Sequence, residues 1–212
     1  GIGGLDIPFT GTYDGKDYEI KNVNISGDAS CSGLFQYNRG TIKNVKVTSG
    51  SAQSKNATGG VICGFNEEGT ITNCTNSVTI TGTNHNVGGI SGSSYNGTIG
   101  NCTNRGEVKM SGKNLNNYGG ICGTSQGSSK ITWCDNYGKV TGSDESLYVG
   151  GICGNNDIGE ISACNNNGSI SGNGKNYGGI CGSNRGSISW CQNRGIISSG
   201  TNHNPICGDN YN

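Results

Sequence analysis

A five-residue segment, Gly-Gly-Ile-Cys-Gly, recurs along this chain, and each copy is followed about ten residues later by Ile-x-x-Cys and then Asn. Identical copies begin at Gly119, Gly150 and Gly178. A copy with Ser in place of Cys begins at Gly88, and a looser copy with one inserted residue begins at Gly60. A unit of this length is too small to bury a core alone, so successive units must stack on one another.

The most regular anchor of the repeat is the Ile of Ile-x-x-Cys, which becomes Ile-x-x-Val in the first units. Its positions give steps of 22, 29, 28, 32, 30 and 27 residues: Ile20, Ile42, Ile71, Ile99, Ile131, Ile161 and Ile188. We therefore expect about seven coils of 22–32 residues in one domain over residues 1–212, with residues 1–30 as the first or capping coil. Residues 205–210 resemble the opening of another unit, which indicates a chain truncated within a repeat and cut from a longer polypeptide.

Within a coil the apolar residues form three short bursts separated by Gly or Asn. In one coil these are Ile121–Cys122, Ile131–Cys134 and Val140. Bursts of this length suit strands better than helices. The fold class is therefore predicted as an all-β, parallel β-solenoid with three short strands per coil. A right-handed winding is the default for parallel crossovers.

One column of Asn residues supports parallel stacking in register. Two residues after the anchor Cys, five consecutive units carry Asn: Asn76, Asn104, Asn136, Asn166 and Asn193. A side-chain amide both donates and accepts, so stacked Asn residues can form a hydrogen-bonded ladder. A turn-forming role explains a single Asn but not a column.

Composition excludes several classes of protein. The chain has 41 Gly and only 30% hydrophobic residues, but its net charge is zero, and charge-rich disorder is therefore disfavoured. Zero net charge also argues against nucleic acid as a partner, since nucleic acid is bound through an electropositive surface. No apolar run reaches the roughly 18 residues of a membrane span.

The first two units carry a further motif. Pro8-Phe9-Thr10-Gly11-Thr12-Tyr13-Asp14-Gly15, Gly33-Leu34-Phe35 and Gly40-Thr41-Ile42-Lys43-Asn44-Val45 resemble the GLUG repeat, and the later Gly-x-Ile-x-x-Cys-x-Asn units resemble a cysteine-bearing version of it. GLUG repeats occur in large bacterial surface and secreted proteins, including adhesin-like proteins and non-catalytic parts of immunoglobulin A metallopeptidases. The resemblance implies an extracellular β-solenoid module and supplies no catalytic residues. The His-Glu-x-x-His motif of a zinc peptidase is absent from the sequence.

The eleven Cys residues fall mostly into two columns, one in the Gly-Gly-Ile-Cys-Gly segment and one at the anchor. Four coils carry both, which allows four disulfides within coils. However, Phe35, Val45 and Ser91 occupy the same columns, so we favour reduced thiols that pack as small apolar side chains. Zinc is disfavoured because the sequence has no Cys-x-x-Cys, and we expect no metal or other cofactor.

Catalysis is also disfavoured, and we expect the chain not to be an enzyme. The acidic groups Glu67-Glu68, Asp144-Glu145 and Asp14/Asp17 belong to different coils, as do His85 and His203. A polysaccharide-active β-helix enzyme needs such groups gathered on one face. The outward column beside the anchor is mixed instead: Thr41, Thr70, Thr98, Lys130, Glu160 and Ser187. Ice binding through columns of Thr remains an alternative. A polysaccharide-active enzyme is a second alternative and is less favoured.

Aromatic residues are the candidate binding residues. Trp133 and Trp190 precede the anchor Cys and are expected to project outward, while Tyr118, Tyr148 and Tyr177 lie just before the Gly-Gly pairs. Exposed aromatic rings can stack on sugars or dock a protein, although shielding of the core edge is an equal alternative. We expect an adhesive domain or stalk of a secreted or surface-attached bacterial protein, with a host or cell-surface protein or glycan as partner and end-to-end self-association as a further possibility.

Overall fold

The chain forms a parallel β-solenoid of seven coils, as the repeat predicts. The computed structural model describes residues 1–26, 30–55, 58–199 and 201–211. Its 35 strands form five parallel sheets of seven strands each. Strands are numbered along the chain, and each coil contributes one strand to each sheet. Sheet 1 consists of β1, β6, β11, β16, β21, β26 and β31. Sheets 2, 3, 4 and 5 begin with β2, β3, β4 and β5 and likewise contain every fifth strand.

The first four coils have the following strand bounds. The first coil contains β1 (Thr12–Asp14), β2 (Glu19–Ile20), β3 (Val23–Ile25), β4 (Cys31–Ser32) and β5 (Phe35–Asn38). The second contains β6 (Thr41–Lys43), β7 (Lys46–Val47), β8 (Gly50–Ser54), β9 (Thr58–Gly60) and β10 (Cys63–Glu67). The third contains β11 (Thr70–Thr72), β12 (Thr75–Asn76), β13 (Ile80–Gly82), β14 (Val87–Gly88) and β15 (Ser91–Tyr95). The fourth contains β16 (Thr98–Gly100), β17 (Thr103–Asn104), β18 (Val108–Met110), β19 (Asn116–Gly119) and β20 (Cys122–Gln126).

The last three coils repeat the same order. The fifth contains β21 (Lys130–Thr132), β22 (Asp135–Asn136), β23 (Val140–Thr141), β24 (Leu147–Gly150) and β25 (Cys153–Asp157). The sixth contains β26 (Glu160–Ser162), β27 (Asn165–Asn166), β28 (Ile170–Gly172), β29 (Lys175–Gly178) and β30 (Cys181–Asn184). The seventh contains β31 (Ser187–Ser189), β32 (Gln192–Asn193), β33 (Ile197–Ser199), β34 (His203–Asn204) and β35 (Cys207–Asn210).

The three apolar bursts of a coil correspond to five strands, because the chain bends within two of the bursts and divides each of these between two strands. The anchor burst spans sheets 1 and 2, the Gly-Gly-Ile-Cys-Gly burst spans sheets 4 and 5, and the third burst lies in sheet 3. Sheet 4 begins within the segments of varying length that precede each Gly-Gly pair. The strands of sheet 4 pack against the outer side of sheet 5, which is why β20 is buried on both faces.

The register of the first coil differs from the expectation. Ile42 pairs with Tyr13 rather than with Ile20, and Ile20 pairs with Val47 in sheet 2. The expected step of 22 residues from Ile20 to Ile42 is therefore wrong. From the second coil onward the anchor register is as expected, with Ile42, Ile71 and Ile99 in one ladder.

The Gly-Gly-Ile-Cys segment is a bend, and this explains how the adjacent Ile121 and Cys122 are both completely buried. Both residues donate their backbone N–H groups to the carbonyl of Ile152, so the chain turns a corner between them. The two glycines allow close approach of the next coil. A Cβ on Gly119 would lie 2.0 Å from the carbonyl oxygen of Cys122, and one on Gly120 would lie 2.2 Å from that of Gly151. Only glycine fits at such distances.

Candidate functional site

The predicted Asn column lies inside the solenoid at the end of each strand of sheet 2. Each Nδ2 donates to the Oδ1 of the Asn on the next coil at 2.8–2.9 Å, in the order Asn76, Asn104, Asn136, Asn166 and Asn193. The same Nδ2 atoms donate to a backbone carbonyl two residues further along their own chain segment, as Asn136 does to Gly138. The ladder satisfies buried polar groups and is therefore structural rather than a binding surface.

Trp133 and Trp190 project into solvent, as the sequence predicts. Their exposed fractions are 67% and 90%. Both lie at the corner between sheets 1 and 2, in the column that also contains Ala163 on the coil between them. Two rungs of a parallel stack separate the indoles, or roughly 10 Å.

This corner has a left-handed backbone conformation from the second coil onward. The residues of the column have φ between 51° and 56°: Asn44, Asn73, Asn101, Trp133, Ala163 and Trp190. Asn tolerates this conformation, whereas a bulky side chain adopts it at a cost in free energy. The two tryptophans therefore occupy positions whose backbone favours the Asn found in the second, third and fourth coils.

A concave, open-sided space of about 480 Å³ lies between the two indoles and is lined by Trp133, Ala163, Asn165 and Trp190. We call it the tryptophan cleft. Asp135, Asn165 and Gln192 form a column of outward side chains along one side of it. Asn165 donates from Nδ2 to Oδ1 of Asp135 at 2.9 Å. The sequence analysis missed these polar neighbours, although their fixed offset from the anchor Cys was visible.

Of the two alternatives for the tyrosines, shielding of the core holds for Tyr118 and Tyr177, which are completely buried. Tyr118 lies in register with Val87 and Val149 in sheet 4 and donates its hydroxyl to the carbonyl of Asn84. The hydroxyl of Tyr177 is 2.6 Å from Oγ of Ser146. Both rings fill the space between sheets 3 and 4, and burial raises the pKa of each phenol.

Tyr148 is not equivalent to the other two tyrosines. It lies one residue earlier, in register with Asn117 and Asn176, and is half-buried. Its φ of 58° matches those of the neighbouring Asn residues in a second left-handed column. Tyr148 is thus a third aromatic residue at a corner where adjacent coils carry Asn, on a different edge from the tryptophan cleft.

All eleven Cys residues are free thiols in the structure, in agreement with the reading favoured from the sequence. In the anchor column each thiol donates to backbone carbonyls, as Cys134 does to Thr132 at 3.3 Å. Burial raises the pKa of Cys63, Cys102 and Cys134 above that of an exposed thiol. Such thiols stay protonated at neutral pH and pack as apolar side chains.

The acidic residues named in the sequence analysis lie apart, and two of them make surface ion pairs. Glu67 pairs with Arg39, and Asp14 lies 3.6 Å from Nζ of Lys43. Asp144 accepts from Nδ2 of Asn173. Nδ1 of His85 accepts from the backbone of Asn116, while His203 lies in β34, four coils away. In the described ranges no group of three His, Cys, Asp or Glu residues is placed to hold a metal ion.

A further aromatic cluster lies on sheet 5 and was not expected. Tyr37 and Phe65 stack with their ring centroids 5.0 Å apart. The Tyr37 hydroxyl donates to Oε2 of Glu67 at 2.9 Å, and burial together with this carboxylate raises the pKa of Tyr37 to about 12. Because the Tyr37 ring is buried, the cluster stabilises the first and second coils rather than presenting a binding face.

Comparison with known proteins finds the same fold in a solved structure. This chain superposes with a TM-score of 0.66 on a crystal structure of a "putative immunoglobulin A1 protease" from Bacteroides ovatus. The sequences are 23% identical, and the match covers 88% of this chain and 61% of the other. No family model matches the sequence, and no curated protein matches it.

The comparison supports the solenoid architecture alone, because the sequence identity is low. The chain spans less than two thirds of the protein it matches. Within the part of the chain that the structure describes, no helix is long and apolar enough to cross a membrane.

Proposed function

We propose that this chain is a non-catalytic binding module of a secreted or surface-attached bacterial protein. The observation that carries the proposal is the tryptophan cleft. Two large rings are exposed at a corner whose backbone favours Asn, and exposed Trp residues contribute little to a core. Strained positions of this kind persist at functional sites, where the cost in stability is offset by binding.

The surroundings of the cleft favour binding over catalysis. On the adjoining strands Lys130 faces Glu160 at 3.9 Å, and Asp135 is bound by the Asn165 amide. These contacts leave no carboxylate pair poised around the indoles for acid–base chemistry. The GLUG-like motifs and the fold shared with the Bacteroides ovatus protein fit a module of a larger extracellular protein.

Binding to arrays of bacterial and host glycans and extracellular proteins tests the proposal. We expect the wild-type chain to bind at least one component and the double variant Trp133→Asn/Trp190→Asn to lose that binding. Ile158→Asn is the matched control, since Ile158 is also 67% exposed and left-handed, with φ of 63°, but lies at another corner. Equal binding by the double variant, or hydrolysis of a bound polysaccharide, would contradict the proposal.

Ice binding is the second candidate, and one observation favours it. Thr12, Thr41, Thr70 and Thr98 form an unbroken outward column on sheet 1. The next two rungs replace Thr with the ion pair of Lys130 and Glu160, and the neighbouring column contains the ion pair of Lys43 and Asp14. A flat Thr surface is therefore limited to four rungs, and measurement of thermal hysteresis tests this candidate directly.

A further inference from the structure

The tryptophan cleft has a regular geometry set by the solenoid. The indoles of Trp133 and Trp190 belong to the same column two coils apart, and the small side chain of Ala163 leaves the space between them open. Their separation of roughly 10 Å is two rung spacings. An extended chain of β-linked pyranoses advances by about one rung spacing per sugar. Rings two rungs apart would therefore meet alternate sugars of a chain parallel to the solenoid axis.

Hydrogen-bonding groups run alongside the rings with the same spacing. Asp135, Asn165 and Gln192 are consecutive members of one column of sheet 2. Asn165 is oriented by its hydrogen bond to Asp135, and in the described part of the chain the Gln192 side chain has no hydrogen-bond partner. Carboxylate and amide groups donate to and accept from vicinal hydroxyls, while the C–H face of a sugar stacks on an aromatic ring.

The charge of the cleft favours a neutral ligand. Asp135 is the charged side chain in the polar column, and it would repel a uronic or sialic acid carboxylate. Lys130, the cation on the adjoining strand β21, lies 3.9 Å from Glu160, whose carboxylate competes with an anionic ligand for this charge. A nucleic acid or an acidic glycan would need the opposite arrangement.

We infer that the tryptophan cleft binds a neutral, extended glycan chain lying along the solenoid axis, with alternate sugars stacked on Trp133 and Trp190. Their hydroxyls are bound by Asp135, Asn165 and Gln192. This inference rests on the proposed binding function and names the class of ligand. A protein loop inserted between the indoles is the competing occupant that the experiment distinguishes.

The two indoles allow a direct assay, because they are the only tryptophans in the sequence. Titration with cello-, chito- and manno-oligosaccharides of increasing length is followed by intrinsic fluorescence. For the best series we expect a shift in emission and a rise in affinity of about tenfold once the chain is long enough to contact both rings. Oligogalacturonate of the same length is the anionic control and should bind at least tenfold more weakly.

Calorimetry on variants tests which residues bind. We expect Trp133→Asn and Trp190→Asn each to weaken binding of the long oligosaccharide about tenfold and to make its affinity independent of length. Ile158→Asn should bind as the wild type does. The melting temperature should not fall in any of these variants, because Asn suits the left-handed backbone better than Trp or Ile does. A fall in the Trp variants would assign the indoles a structural role and overturn the inference.

The remaining outcomes separate the inference from the proposed function. Trp-dependent binding to a protein but to no glycan overturns the neutral-glycan inference and leaves the binding function standing. Glycan binding that persists after both Trp substitutions overturns the tryptophan cleft as the binding site. A preference for oligogalacturonate overturns the inference that the ligand is neutral. Failure of the folded wild-type chain to bind any component of either array overturns both.

Discussion

At the scale of single residues, the left-handed corners distinguish structural positions from binding positions. The column that contains the tryptophans carries Asn in the second, third and fourth coils, and a second column contains Asn86, Asn117 and Asn176. Asn adopts this conformation at little cost because its short side chain bonds locally. Trp133, Tyr148, Ile158 and Trp190 lie at equivalent φ without that compensation. Among the left-handed positions of the described residues, these four carry large aromatic or β-branched apolar side chains.

Ile158→Asn should raise the stability of the protein. Ile158 is branched at Cβ and has φ of 63°, while Asn96 occupies a left-handed position at the same corner two coils earlier. Because the Ile158 side chain is mostly exposed, little apolar burial is lost. We expect the free energy of unfolding to rise by about 1 kcal/mol, measured as a higher melting temperature. Ile158→Val, which keeps the branching, is the control and should not give this rise.

The orientation of the aromatic residues was only partly predictable. Trp133 and Trp190 were placed outward because they precede a buried anchor Cys in the alternation of a strand. Tyr118 and Tyr177 were misplaced, although the column immediately before the Gly-Gly pair reads Val87, Tyr118, Val149 and Tyr177. A column that alternates Val with Tyr is apolar throughout, and this signal indicated burial. The left-handed φ that separates Tyr148 from them is not visible in a sequence.

At the scale of elements, hydrogen-bonded side chains join the coils as the backbone does. The ladder from Asn76 to Asn193 runs along sheet 2. A second ladder runs along sheet 5, with pairs Asn38–Asn66 and Asn156–Asn184. Each interior Asn is fully buried, so the loss of one leaves several polar partners unpaired. The cost of unpaired buried groups, about 1–3 kcal/mol each, is what makes these ladders specify register.

Asn136→Ala should destabilise the protein more than Asn193→Ala. Asn136 accepts from Asn104 and donates to Asn166 and to the Gly138 carbonyl. Asn193 is partly exposed and, within the described coils, receives a side-chain hydrogen bond from Asn166 alone. We expect losses of about 3 kcal/mol and about 1 kcal/mol respectively, measured by chemical denaturation with the wild type as reference. Equal losses would show that the ladder contributes nothing beyond each residue's own turn.

The first ladder was predictable from the sequence and the second was not. Five consecutive coils carry Asn in sheet 2, and the column is unbroken. In sheet 5 Ser94 and Ser125 interrupt the series, so the column does not stand out. Ser125 is too short to continue the ladder, and its Oγ and the Oδ1 of Asn156 have no hydrogen-bond partner among the described residues. A ladder of hydrogen-bonded side chains can be recognised in a sequence only where every coil carries the same residue at that position.

At the scale of the whole molecule, the two ends of the described coils differ. Three rings, Phe9, Tyr13 and Phe35, pack together at the first coil with centroid distances of 5.1 and 5.3 Å about Phe35. At the seventh coil Ile188 and Ile206 line a concave space of about 530 Å³, and Ile196 is 74% exposed. Among the described residues, β31 to β35 are each the last strand in the order of their sheet. Free parallel edges are templates for further strands.

This difference predicts end-to-end association of the chain as given. We expect the sedimentation coefficient to rise with protein concentration, because the seventh coil can pair with another copy. Ile206→Lys should shift the population to monomer by placing a charge in the open end. Ile158→Lys, on a lateral corner, is the control and should associate as the wild type does. A constant monomeric sedimentation coefficient over the accessible concentration range would contradict the prediction.

Because the coils stack in the same register, whole coils can be gained or lost during evolution. Since every coil meets both neighbours through the same five strand pairings, a gene segment that encodes one whole coil can be duplicated or deleted without creating a mismatched junction. Insertion of a coil between Trp133 and Trp190 would move the indoles apart by one rung and leave the rest of the surface unchanged. Recombination between repeats would thus yield proteins that bind segments of different length in the same polymer.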